Sequence, residues 1–271
     1  VKFTIKNYNT IVLEKHPSYL LEKSKKDKNL LNYILTNIDS IVDNNKFTKN
    51  NTKFKNIFKF IFTGVLVIPY ETIENCEKLR KDIDLVISKF PEYNLNFNGS
   101  RVLGGFSAFG NPSSFHNKLI RQLRIKIYNF VRKEILKDYT DLLNLVNLNS
   151  ELLFDRLMIR KKGVKPTKET WHKDVAAKKP KTNLEKDDNI LGGWFNLDST
   201  NQFFSCVKGT HLECKLYNLT SGFSNIPKEK HEMLNKIASK ITIPAGHIIL
   251  FYQHITHEVI ADKAKNDMYR L

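Results

Sequence analysis

The 271-residue chain is predicted to be an α+β protein in which a helical front half buttresses one face of an antiparallel β-roll. Two observations carry this expectation. Up to about Leu152, apolar residues return at the three- and four-residue spacing of amphipathic helices; beyond it, short apolar runs alternate with turn residues. Helices and strands segregated along the chain, rather than alternating, point to a sandwich or barrel and away from a parallel βαβ sheet. A hydrophobic share of 41% against 27% charged residues is enough for a core and excludes a disordered tail.

Residues 1–60 read as a basic helical extension. Leu30, Leu31, Ile34, Ile38, Ile41 and Val42 recur at helical spacing, and 12 Lys stand against 5 acids, a local charge of +7. The Asn- and Lys-rich residues 43–59 read as a polar connection interrupted by Phe47, Phe54, Ile57 and Phe58. A second unit is expected over 61–271. The β-branched run 62–69 predicts a strand ended by Pro69, and residues 71–89 predict a helix with Leu79, Ile83 and Ile87 inward. Residues 102–110 are too glycine-rich for a regular element, and 116–137 predict another helix. From about 152 onward the expected strands are 153–160, 170–175, 193–197, 203–207, 240–244, 247–252 and 268–271.

Charge and cysteine content narrow the function classes. The formal +16 suggests a polyanionic partner, but it is built from 36 Lys and only 8 Arg, whereas geometric readout of phosphate or bases favours the planar Arg fork. A generally basic surface and a dedicated nucleic-acid surface both remain open. Cys76, Cys206 and Cys214 are an odd number without CxxC spacing, which points to a reducing, cytoplasmic compartment rather than a disulfide or zinc framework. The polar start has no signal-peptide core, and the apolar run 61–69 is too short to span a bilayer, so no membrane segment is expected.

Three features of the β half carry chemistry. In Trp171-His172-Lys173-Asp174, residues two apart on a strand share a face, so an imidazole and a carboxylate reach one point, two thirds of a facial triad for non-haem iron(II). His257, 85 residues downstream in the run following the Pro244-Ala245-Gly246 turn, suits a third ligand brought back by a returning strand. His254, three residues earlier, is the alternative; on an extended strand the two face opposite ways. Arg270 sits inside an apolar strand; it either points outward at the chain end or faces into the roll, where it needs a partner because a buried unpaired charge costs several kcal/mol. A dicarboxylic cosubstrate would supply it through a bidentate pair.

With these residues in place, the chain resembles the phytanoyl-CoA dioxygenase-like family of iron(II)/2-oxoglutarate-dependent dioxygenases over about residues 60–271. Gly192-Gly193-Trp194-Phe195-Asn196-Leu197-Asp198 resembles the family's strand ending in a Leu-Asp turn, and Phe204 through His211 its strand running into a PGSH-like turn. The resemblance implies a double-stranded β-helix, a jelly roll of the cupin kind. It implies iron(II) held by His172, Asp174 and His257, with 2-oxoglutarate and O2 at the remaining positions and Arg270 on the far carboxylate. The implied reaction hydroxylates a C–H bond and releases succinate and CO2. Asp174 occupies the position that a small residue would vacate for halide, so hydroxylation is expected over halogenation. Trp171 and Trp194 either line the cosubstrate pocket or, as is commoner for a Trp beside a strand motif, pack in the core, and His211 reads as structural. Asp155, Arg156 and Arg160 form an internal ion pair or present Arg156 to the pocket. Lys178, Lys179 and Lys181 follow the metal motif, where they attract an anionic substrate or solvate a loop. The substrate is read only as a small or anionic molecule, such as a CoA ester or nucleotide. The competing reading is a basic nucleic-acid or protein binding module on an inactive dioxygenase fold.

Overall fold

The computed structural model describes residues 4–89, 100–104, 118–145, 150, 156–160, 162–163, 169–174, 190–213, 218–219, 224–259 and 267–271. Asp155, Lys178, Lys179, Lys181, Cys214 and the glycine-rich residues 105–110 lie outside the described residues. The chain opens with α1 (Ile5–Glu14), α2 (Pro17–Ser24), α3 (Lys28–Thr36), α4 (Ile38–Asn44) and α5 (Thr52–Thr63). The stretch predicted as one helix around Leu30 to Val42 is therefore two, broken at Asn37, whose backbone leaves helical geometry. Asp27 starts α3 by accepting from the amides of Asn29 and Leu30, both at 3.0 Å.

Helix α5 corrects the reading of residues 43–59 as a polar connection. Asn51 caps it by accepting from the Phe54 amide at 3.0 Å, and Ile57, Phe58, Ile61 and Phe62 are buried within it. Its lysines are partly exposed, and Lys55 and Lys59 pair with Asp43 and Asp39. A strong apolar stripe thus outweighs a Lys- and Asn-rich composition. Gly64, in the left-handed region at φ 83°, ends the helix, so the strand begins at Val65 and not at Phe62.

The remaining elements are β1 (Val65–Pro69), α6 (Ile73–Ser88), β2 (Ser100–Gly104), α7 (Lys118–Val131), α8 (Lys137–Leu142), β3 (Arg156–Arg160), β4 (Glu169–Lys173), β5 (Leu191–Phe195), β6 (Gln202–Val207), β7 (Asn218–Leu219), β8 (Ser224–Asn225), α9 (His231–Ile237), β9 (Ser239–Ile243), β10 (His247–Tyr252), β11 (Thr256–Val259) and β12 (Met268–Arg270). A π-turn, Arg132–Leu136, joins α7 to α8. Glycine did not prevent order in β2, which includes Val102 to Gly104 and pairs with β3.

The strands form two antiparallel layers. One has the order β7-β8-β4-β11-β6-β9. The other joins β1-β10-β5 to β12-β3-β2, because Phe195 and Leu271 exchange backbone hydrogen bonds of 2.8 and 3.3 Å and Asn196 bridges Arg270. Side chains along each strand divide between two cores with period two. From β10, Ile248, Leu250 and Tyr252 join a large core with α1 through α5, whereas Ile249 and Phe251 join a smaller one with Phe204, Cys206 and Ile243 from the opposite layer. The smaller cluster lies between the layers, and the large one welds the helices onto the outer face of the β1–β10–β5 sheet. The first sixty residues share this core, with Val12, Leu20, Ile34 and Phe58 fully buried in it.

Gly64 provides a direct test. A Cβ there would approach His211 Nδ1 to 2.5 Å, on top of the φ penalty, whereas Gly163 has φ 82° and nothing within 4 Å. Gly163→Ala is expected to cost about 1 kcal/mol and Gly64→Ala about 1–2 kcal/mol more, measured by urea unfolding. Equal costs would mean that the helix end does not press on His211.

Candidate metal centre

Strand register builds the site. β4 and β11 are antiparallel, and His172 and His257 are directly opposed across that pair. Opposed residues project to the same face with Cβ atoms about 5 Å apart, and the two imidazole centroids are 4.3 Å apart. Asp174 lies just past the end of β4, where its amide donates to the Gln253 carbonyl at 3.0 Å. This turns its carboxylate back over the pair. One oxygen lies 3.4 Å from His172 Nε2 and the other 3.6 Å from His257 Nε2. One donor atom from each of the three residues falls within 4.8 Å of the others.

The ring nitrogens are assigned by their partners. His172 Nδ1 is 2.7 Å from the Thr170 carbonyl oxygen and His257 Nδ1 is 3.0 Å from that of Ile255. A carbonyl only accepts, so each Nδ1 carries the proton and each Nε2 presents a lone pair toward the Asp174 carboxylate. Both rings are nearly fully buried, and burial pushes the His257 imidazole below its ordinary value against the attraction of Asp174. Two buried imidazoles and one partly exposed carboxylate converging on one point fit a divalent transition metal. Among the described residues, this is the sole group of three or more such donors arranged in this way. His254 lies outside the group, in the turn between β10 and β11. Cys206, paired with His257 from β6, is pushed up to about 12 by burial and stays a neutral thiol.

Around the triad the interior is aromatic. Phe204 and Phe251 stack with centroids 4.7 Å apart, and their rings are 5.2 and 5.7 Å from that of His257. Trp194 meets both edge-on, and the Arg270 guanidinium lies over the Trp194 ring at 4.4 Å. Arg270 therefore shares the inner chamber with the triad. Its Nε donates to Gln202 Oε1 at 2.8 Å. Gln202 and the Trp194 indole face are thus partners of Arg270 within the protein. No spacing signal marks Gln202, since its partners come from β5, β12 and the Leu197-Asp198 turn.

Of the two readings of Trp171, the structure shows core packing. The side chain packs with Val207, Ile226 and Leu234, and its Nε1 donates to Asn235 of α9 at 2.8 Å, so it anchors a helix outside the chamber. His211 is buried, donates from Nε2 to the Ile61 carbonyl at 2.9 Å and stacks on Tyr252. Lys173, between the two expected ligands, points the other way and donates to the carbonyls of Thr210 and Glu213, both at 2.9 Å.

No family model matches the sequence, and no curated protein matches it. Solved structures do. HygX from Streptomyces hygroscopicus, with nickel and 2-oxoglutarate bound, superposes with a TM-score of 0.51 at 15% identity over 80% of this chain and 83% of that one. SnoK, a non-heme alpha-ketoglutarate-dependent carbocyclase from nogalamycin biosynthesis, does so with a TM-score of 0.52 at 12% identity over 82% of each chain. The shared fold is a mixed helix and antiparallel-sheet architecture. No helix among the described residues is long and apolar enough to cross a membrane.

Burial of His211 has a pH consequence. Its pKa is lowered from 6.5 to about 3 by burial, so protons bind the unfolded chain more readily than the folded one below pH 6.5. Stability is full above that pH and falls on acidification toward pH 3, by up to about 1.4 kcal/mol per pH unit. His211→Gln should flatten urea-unfolding free energies across this window; an unchanged slope would remove His211 as the cause.

Proposed function

We propose that this chain is an iron(II)- and 2-oxoglutarate-dependent oxygenase with a double-stranded β-helix core, nearest in kind to the phytanoyl-CoA dioxygenase-like enzymes. The observation that carries the proposal is the convergence of His172 Nε2, His257 Nε2 and the Asp174 carboxylate on one point. The fold shared with 2-oxoglutarate-bound HygX and with the alpha-ketoglutarate-dependent SnoK supports it. An inactive binding scaffold has no need of such convergence.

In this reading His172, Asp174 and His257 hold the iron, and Arg270 on Trp194 receives the far carboxylate of 2-oxoglutarate. Iron(II), when bound with 2-oxoglutarate and O2, supplies oxidative decarboxylation to succinate and CO2 coupled to hydroxylation of a substrate C–H bond. The protein supplies the rest. The Thr170 and Ile255 carbonyls keep both imidazoles in the tautomer that presents Nε2. Phe204, Phe251 and Ile249 keep the chamber dry, which strengthens the attraction between the Arg270 guanidinium and a carboxylate. Asp174 fills the third protein position, so hydroxylation is favoured over halide transfer. The substrate is a small molecule, and the Lys-rich surface suits an anionic one.

Succinate formation from 2-oxoglutarate with iron(II) under air tests the proposal. His172→Ala and Asp174→Ala are each expected to lower it by about 100-fold or more. Turnover equal to wild type in both variants would reject the assignment.

A further inference from the structure

Gln202 opens β6 and is nearly fully buried, and its carboxamide uses every hydrogen-bonding position that it has. Nε2 donates to Asp198 Oδ2 at 2.8 Å and to the Tyr269 carbonyl at 3.1 Å. Oε1 accepts from Trp194 Nε1 and from Arg270 Nε, both at 2.8 Å. The amide cannot be turned over, because a carboxylate and a carbonyl on one side accept only, while an indole and a guanidinium on the other donate only. Asp198 is fixed in turn: its second oxygen accepts from the Tyr269 amide at 2.7 Å, and the Asn196 side chain accepts from the Asp198 amide at 2.9 Å. A relay thus runs from the β12 backbone through Asp198 and Gln202 to the Trp194 and Arg270 side chains.

The relay grips Arg270 by its stem-side nitrogen while Trp194 holds one face of the guanidinium. A charged fork fixed on one edge and one face retains a single orientation, which is what bidentate recognition of a carboxylate requires. We propose that Gln202 is the positioning residue that holds Arg270 flat on Trp194, and that it thereby sets a preference for a 2-oxo dicarboxylate over a 2-oxo monocarboxylate. The inference rests on the proposed function and deepens it.

Calorimetric titration of the nickel(II)-loaded protein with 2-oxoglutarate and with 2-oxovalerate, of equal chain length but without the far carboxylate, reads the effect without turnover. Gln202→Met keeps the length and removes all four bonds. It is expected to weaken 2-oxoglutarate about 10- to 100-fold, the range for hydrogen bonds to a charged group, and to leave 2-oxovalerate within about twofold. A merely structural role would weaken both ligands together, and that result, or no change in either, would overturn the proposal. Should Gln202→Met fail to fold, Gln202→Asn keeps a carboxamide beside Asp198 and the Tyr269 carbonyl but withdraws its oxygen from Arg270 by one methylene; it too is expected to weaken 2-oxoglutarate selectively, and an unchanged preference would overturn the role. Wild type that binds neither acid would overturn the proposed function itself, whereas wild type that prefers 2-oxoglutarate beside an equally selective variant would overturn Gln202 alone.

Discussion

The register between β4 and β11 is the constraint on which the rest of the molecule depends. A slip of one residue would send His172 or His257 to the opposite face of its sheet and dissolve the triad. Several bonds oppose that slip. Lys173, the residue between His172 and Asp174, is locked to the Thr210 and Glu213 carbonyls, and the amide of Thr256, the residue before His257, donates to Thr210 Oγ1 at 2.8 Å. Thr210 Oγ1 in turn donates to the Val207 carbonyl at 2.7 Å. One short turn after β6 therefore braces both histidine-bearing strands from behind, and the Asp174–Gln253 backbone bond braces them in front. A buried lysine is costly unless hydrogen-bonded, and the Thr210 and Glu213 carbonyls supply that compensation.

Separation of the large helix-side core from the small cluster between the sheets explains how a polar site survives inside a small protein. The helices and the outer sheet face hold the larger core, which includes Phe58, Phe60 and Ile248. The space between the sheets is left to a few aromatic and aliphatic side chains and to polar groups that are satisfied by one another. Each fully buried Phe contributes about 2–3 kcal/mol. The helical layer thus holds together a structure whose inner chamber can be given over to chemistry. The basic first sixty residues belong to this support, with part of their charge tied up in pairs such as Lys53 with Asp138 at 2.8 Å.

Most strands of the back half were legible as short apolar runs bounded by turn residues, as in β9 and β10 around Pro244-Ala245-Gly246, whereas the two-residue β7 and β8 carry no such run. The HxD spacing was legible for the same reason, since period two is a local property of a strand. Helix α5 was not, because Lys and Asn obscured a stripe that stands out only when Ile57, Phe58, Ile61 and Phe62 are set on one face. β2 was hidden by its neighbouring glycines, and its pairing with β3 is long-range. The same applies to Gln202, which acquires its meaning from Asp198, Trp194, Tyr269 and Arg270, residues that meet only after two sheets are assembled. Local pattern thus revealed the metal-binding candidates, whereas the residues that orient them required the register between distant strands.

Iron(II) stoichiometry under anaerobic conditions tests the central claim most directly, because it asks which downstream histidine faces His172 and Asp174. The account predicts about one iron(II) per chain in wild type and in His254→Ala, and loss of the metal in His257→Ala, since the antiparallel register opposes His257 and not His254 to His172. Retention of iron by His257→Ala, together with its loss in His254→Ala, would contradict it.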